Sequence, residues 1–134
     1  MMKYGYGFLF LIVFFFEGQA QTYSEQVASI IYTHCSNCHR PGEIGPFPLT
    51  NYEEVKDRAF TIKYVTESRY MPPWKPDPKY RNFQHENFLT DAEISILGKW
   101  VDAGMPQGDP SKEPPFPNFP SGSQIGTPDL VVSF

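Results

Sequence analysis

Three times along this 134-residue chain, a polar cap is followed by apolar residues at three- and four-residue spacing. Thr22-x-x-Glu25, Thr50-x-x-Glu53 and Thr90-x-x-Glu93 each read as a capping box, in which hydroxyl and carboxylate satisfy the N–H groups of a helix start. Val27, Ile30, Ile31 and His34 follow the first box. Tyr52, Val55, Ala59, Ile62 and Val65 fall on one face behind the second. Ile94, Leu97 and Val101, with Trp100 beside them, follow the third, and that helix is expected to stop at Gly104 ahead of Pro106. Strand alternation is nearly absent before residue 125. Pro/Gly-rich loops, Arg40 to Leu49 and Met71 to Phe88, separate the helices, and no internal repeat is visible. The pattern predicts an all-α domain of three main helices.

The two ends read differently. Lys3 precedes an apolar run from Phe8 to Phe16, and Gly18-Gln19-Ala20 offers a small-x-small cleavage site. Residues 1–20 are therefore expected to be a signal peptide, cut after Ala20, and the protein to be exported. The nine apolar residues fall short of the ~20 that span a bilayer, so no stable membrane insertion is expected after cleavage. An uncleaved anchor, leaving the protein membrane-associated, is the alternative. Residues 21–108 form the expected domain. Residues 109–124, with Pro110, Pro114, Pro115, Pro117 and Pro120, read as a polyproline-like linker, with Phe116 and Phe119 as candidates to fold back. Residues 125–134, with Leu130, Val131 and Val132, read as a strand-like stub.

Charge and size narrow the function. The net charge is −4, and removing residues 1–20 deletes one cation and one anion, Lys3 and Glu17. This mild acidity argues against a nucleic-acid partner and against a polybasic membrane patch. About 114 residues remain, a size at which apolar burial alone is marginal and a bound prosthetic group would supply much of the core.

The candidate chemistry sits in Cys35-Ser36-Asn37-Cys38-His39, a C-x-x-C-H. This is the attachment sequence of a c-type haem: two thiols one helical turn apart join the porphyrin vinyl groups, and the following imidazole is the proximal iron ligand. Both cysteines of the chain lie in the motif. A secreted disulfide scaffold would spread its cysteines. A zinc site would have to draw four ligands from six consecutive residues, His34 to His39. A thioredoxin-like dithiol opens a helix after a strand, and no β-rich run precedes Cys35. In bacteria c-type haem is attached outside the cytoplasm, a property of the class that fits a periplasmic location.

The sixth ligand has several candidates. Thioether sulfur favours ferrous iron and raises the potential. Met71 precedes Pro72-Pro73, which lack N–H groups and stiffen the loop. Met105, His85 and an open position are the alternatives. Trp74, Arg69 and Arg58 are candidate partners of haem carboxylates, because indole N–H and guanidinium suit them. Tyr32 and Phe47 read as pocket wall, and His34 as a partly buried core histidine.

The order of helix, C-x-x-C-H, loop, helix, Met-Pro segment and final helix resembles class I c-type cytochromes. It is most similar to the bacterial cytochrome c domain that precedes copper type II, ascorbate-dependent monooxygenase-like domains. Cys35–His39, Pro46-Phe47-Pro48-Leu49, Arg69-Tyr70-Met71-Pro72-Pro73-Trp74, Trp100-Val101-Asp102-Ala103-Gly104 and Gly108-Asp109-Pro110 carry the resemblance, across roughly residues 24–110. It implies a small class I cytochrome c-like bundle around one covalent haem c. Met71 matches the family's Met-Pro position, so His39 and Met71 become the implied iron ligands. It also implies that the last helix packs on the first, and that a proline carbonyl after the motif, at Pro46 or else Pro41, accepts from His39. The implied role is an electron carrier, not an enzyme, expected to be monomeric. It would serve a redox partner protein or a fused downstream domain opened by a Gly-x-Pro-Asp segment like that at residues 126–129. No His or Met cluster that could hold copper follows the linker. A haem sensor with an open sixth position is the other functional class.

Overall fold

The computed structural model describes residues 21–77, 79–119 and 129–132. The first helical run opens as a π-helical stretch, Tyr23–Val27, and continues as α1, Ala28–His34. α2 (Tyr52–Asp57) and α3 (Ala59–Glu67) follow, then α4 (Asp91–Asp102) and a 3-10 turn, Pro110–Lys112. No strand occurs among the described residues, so the all-α class holds. None of the described helices is long and apolar enough to cross a membrane. The expected signal peptide, residues 1–20, lies outside the described residues.

The helix starts vary on one theme. At α4, Thr90 Oγ1 accepts from the Glu93 N–H while the Glu93 carboxylate accepts from the Thr90 N–H, a complete capping box. At the first run, Thr22 Oγ1 accepts from the Glu25 N–H, but the return bond comes from Gln26, whose Oε1 accepts from the Thr22 N–H at 2.8 Å. The second box is displaced by one residue. Asn51, not Thr50, caps α2, with its Oδ1 accepting from the Glu54 N–H at 3.1 Å. Glu54 then accepts from both the N–H and the hydroxyl of Thr50. Asn is the stronger N-cap of the two, so the displaced register satisfies the helix start better than the expected one.

The expected second helix is also divided. Arg58, at φ −109° and ψ 6°, ends α2 and starts α3. Val55, Ala59 and Ile62 nevertheless keep to one buried face, because a one-residue break rotates the face little at helical spacing.

The core gathers where the π-helical turn meets α4 and α3 packs on α4. Trp100 and Tyr23 are fully buried, their rings 6.3 Å apart, and Tyr52 meets Tyr23 edge-on at 5.4 Å. The chain after α4 ties these elements together. Gly104 (φ +85°) and Met105 close a Schellman turn through Gly104 N–H to Val101 O and Met105 N–H to Trp100 O. The Pro106 carbonyl then accepts from the Trp100 indole and from the Tyr23 N–H, and the Met105 carbonyl from the Tyr52 hydroxyl.

The proline-rich segment lies against the helices. Lys112 pairs with Glu25, and the Tyr32 hydroxyl donates to Glu113. Phe116 packs edge-on to Tyr32 at 5.0 Å, and Phe119 lies under the Arg40 guanidinium at 4.2 Å. Residues 109–119 thus behave as a strap. Of the stub at 125–134, residues 129–132 are described; they form no strand, and Leu130, Val131 and Val132 are exposed.

Candidate functional site

Four hydrogen bonds fold the loop after α1 around His39. The Gly45 N–H donates to the Cys38 carbonyl at 2.9 Å, and the Leu49 N–H to the His39 carbonyl at 2.8 Å. Ser36, fully buried in the middle of C-x-x-C-H, donates its hydroxyl to the Leu49 carbonyl at 2.8 Å. His39 Nδ1 meets the Phe47 carbonyl at 3.1 Å. A carbonyl can only accept, so Nδ1 carries the hydrogen and Nε2 is left with a free lone pair. The Phe47 ring lies 4.9 Å from the imidazole. The resemblance put the accepting carbonyl at Pro46 or Pro41. It belongs to Phe47, because the bonds at Gly45 and Leu49 turn that peptide, not its neighbours, toward the ring.

The sequence brought in Gly45 only beside Pro46, as part of the candidate partner of His39, and it is the tightest point of the loop. A Cβ there would sit 2.6 Å from the Cys38 carbonyl oxygen and 2.8 Å from His39 Nδ1. The available signal was a glycine six residues past the motif histidine, between it and a Pro-x-Pro.

The loop forms one wall of a cavity of about 380 Å³, within the size range of small-molecule and cofactor sites. Cys35, Cys38 and His39 line it, with Ile44, Gly45, Pro46, Phe47 and Leu49. α3 contributes Thr61, Ile62, Val65 and Thr66, pairs at i, i+4 that share a helix face. The Thr66 hydroxyl is turned back to the Ile62 carbonyl at 2.8 Å, so it presents its methyl side without an unpaired polar atom. After α3 the Val65 carbonyl accepts from both the Tyr70 and Met71 N–H groups, which turns the chain back across the cavity. Tyr70, Met71, Pro72 and Pro73 line it from that side, with a cis Met71–Pro72 bond. Motif, loop, α3 and Met-Pro segment therefore converge on one largely apolar space. Ile44, at its edge, is 89% exposed.

Of the other axial candidates, Met105 packs against the main core and His85 is exposed at φ +57°; neither lines the cavity. Trp74 faces a second, smaller cavity of about 220 Å³, bounded also by Met71. Its indole N–H is buried with no partner among the described residues. Arg69 is engaged by Asp91 and by the Leu89 carbonyl, and Arg58 stacks on Phe47 at 4.8 Å. Phe47 is cavity wall, as expected. Tyr32 is not: it points to Tyr23 and the strap.

Burial, with Cys38 beside it, pushes the Cys35 thiol up to about 12. An activated redox dithiol requires the opposite shift. His34, at the cavity edge, spans Asn87 Oδ1 at 2.8 Å and Glu93 Oε1 at 3.2 Å. Burial raises the Glu93 carboxyl, but bonds from Thr90 and the His34 ring outweigh it and hold the group below its ordinary value. Among the described residues no group of three or more His, Cys, Asp or Glu side chains is placed to hold a metal ion. With both His34 nitrogens engaged, the residues that converge here offer one free imidazole nitrogen, one thioether and two thiols. No family model, curated protein or solved structure matches this chain.

Proposed function

We propose that this chain is an exported mono-haem c-type cytochrome domain that carries electrons, its haem joined to Cys35 and Cys38 and its iron held between His39 and Met71. One observation carries the reading: Cys35, Cys38, His39 and Met71, from two distant segments, line the same apolar cavity. The donor set fits a haem. Two thiols suit covalent attachment, an imidazole with Nδ1 already engaged suits the proximal position, and a thioether suits ferrous iron. The helix order fits a class I-like cytochrome.

A bound haem would supply one-electron iron chemistry. The residues supply position and surroundings. The Phe47 carbonyl fixes the orientation of His39 and strengthens it as a donor. Leu49, Ile62, Val65 and Phe47 exclude water, and Pro72-Pro73 holds Met71 across the cavity. Cys38, Ile44 and Pro46 lie exposed at the rim, which gives electrons an edge at which a partner or a fused domain can dock. The dithiol reading is disfavoured by the raised Cys35 thiol, and a zinc site because among the described residues no three His, Cys, Asp or Glu side chains are placed to share an ion.

The test is optical. The oxidised protein, matured in a host that attaches c-type haem and exports the chain, should show the Met-to-iron charge-transfer band, and Met71→Ala should abolish it. An unchanged band in Met71→Ala would exclude Met71 as the ligand.

A further inference from the structure

The strap is anchored on both sides of C-x-x-C-H. Before the motif, Tyr32 lies about one helical turn from Cys35. It donates its hydroxyl to Glu113 at 2.5 Å and meets Phe116 edge-on. After the motif, Arg40 follows His39 and holds its guanidinium against the Phe119 ring at 4.2 Å. Phe116 and Phe119 touch, their rings 5.6 Å apart, so the two anchors form one unit.

Arg40 also reaches into the motif. The turn from Cys35 to Cys38 has four carbonyls to satisfy. Those of Cys35 and Cys38 accept from backbone, the first from the Cys38 and His39 N–H groups and the second from Gly45. Those of Ser36 and Asn37 accept from Arg40 Nη1. The side chain thus caps the helix end from outside the helix. Nη2 donates to Glu43 Oε1 at 2.8 Å, and the Arg40 side chain is 10% exposed, so the largely buried cation is both paired and hydrogen-bonded. A planar guanidinium can bond two carbonyls, pair with a carboxylate and present its face to a ring at once; a lysine ammonium cannot.

We propose that Arg40 is a positioning residue for the proximal side of the site and that Phe119 is the clamp that holds it. The role rests on the haem reading above, and it makes residues 109–119 part of the electron-transfer site instead of a linker. Arg40 does not line the cavity. It acts through the backbone, fixing the peptides between the two thiols and so the plane in which the His39 ring meets the iron.

The experiment uses the haem-loaded full chain. Haem stain of a denaturing gel comes first; an unstained chain would sink the haem reading and this role with it. In the stained ferric protein, haem methyl proton shifts report the plane of the axial imidazole. Arg40→Lys keeps the charge but loses the two-carbonyl grip, and Phe119→Leu keeps apolar bulk but loses the ring face. Each should alter the spread of the methyl shifts, and Phe119→Tyr, which keeps the ring, should preserve the native pattern. Tyr52→Phe, which removes the bond to the Met105 carbonyl in the main core, is the stability control: it should lower the melting temperature and leave the shifts in place. Native shifts in Phe119→Leu and in whichever Arg40 variant loads haem, or shifts moved as far by Tyr52→Phe, would overturn the role while leaving the haem reading intact.

Discussion

Replacing Gly45 by alanine is the sharpest perturbation of the histidine loop. The new Cβ would sit 2.6 Å from the Cys38 carbonyl oxygen, 2.8 Å from His39 Nδ1 and 2.9 Å from His39 Cα. All three are backbone, or a ring fixed by its own hydrogen bond, so no flexible side chain can yield. Overpacking of this kind costs about 1–3 kcal/mol. Relief by moving the loop would lengthen the Gly45-to-Cys38 bond, worth ~1 kcal/mol. Together these give a loss of about 2–4 kcal/mol, or ~10–25 °C in melting temperature for a domain this size. Gly42→Ala is the control. Gly42 has φ +85° and open space around its Cβ position, so only its left-handed backbone is penalised, by ~1–2 kcal/mol. Urea unfolding of both variants measures the difference, and the His39 ring resonances report whether the imidazole has shifted. Gly45→Ala should be the less stable and should alone move those resonances. Equal stability with unmoved His39 signals would refute the close-approach argument.

Other substitutions separate the remaining contacts. Ser36→Ala strips the Leu49 carbonyl of its buried donor and should cost about 1–3 kcal/mol in chemical denaturation. Thr90→Ala breaks the complete capping box at α4 and should cost ~1 kcal/mol, whereas Thr50→Ala should cost less because Asn51 is the cap. The Glu93 carboxyl has its folded value depressed below 4.5, so it stabilises the fold above that pH and the contribution fades as pH falls through the depressed value; Glu93→Gln should flatten the acid limb of a stability–pH profile, and an unaltered limb would count against the His34–Thr90 cluster. Burial, then the Glu113 bond, raises the Tyr32 phenol to about 12. Its stabilisation is therefore complete below pH 10 and lost as pH rises toward 12, and Tyr32→Phe should lessen the alkaline loss in circular-dichroism melts, the remainder coming from Tyr23, whose phenol burial also raises.

Helix existence was legible because it rests on local rules. Thr90 and Glu93 are three residues apart and make the box that spacing announces. The second start was misplaced by one residue because Thr50 and Asn51 are adjacent caps with adjacent glutamates, and the stronger cap, Asn51, takes the helix start. The break at Arg58 carries no glycine or proline to mark it. At the site, residue types were readable at Cys35, Cys38, His39 and Met71, since each brings distinctive chemistry. The carbonyl facing His39 was not, because any of several peptides in a turn can reach a ring, and the bonds at Gly45 and Leu49 decide which does. Tyr32 was misread for a similar reason: its apolar body suits a cavity wall, but Glu113, far along the chain, draws its hydroxyl toward the strap.

The central claim is covalent attachment of haem at Cys35 and Cys38. Its most direct measurement is a haem-stained denaturing gel of the full chain, matured in a host with c-type haem assembly, beside the Cys35→Ala, Cys38→Ala double variant. A stained band at the chain's mass that disappears in the variant is expected. An unstained native chain carrying two free thiols would contradict it.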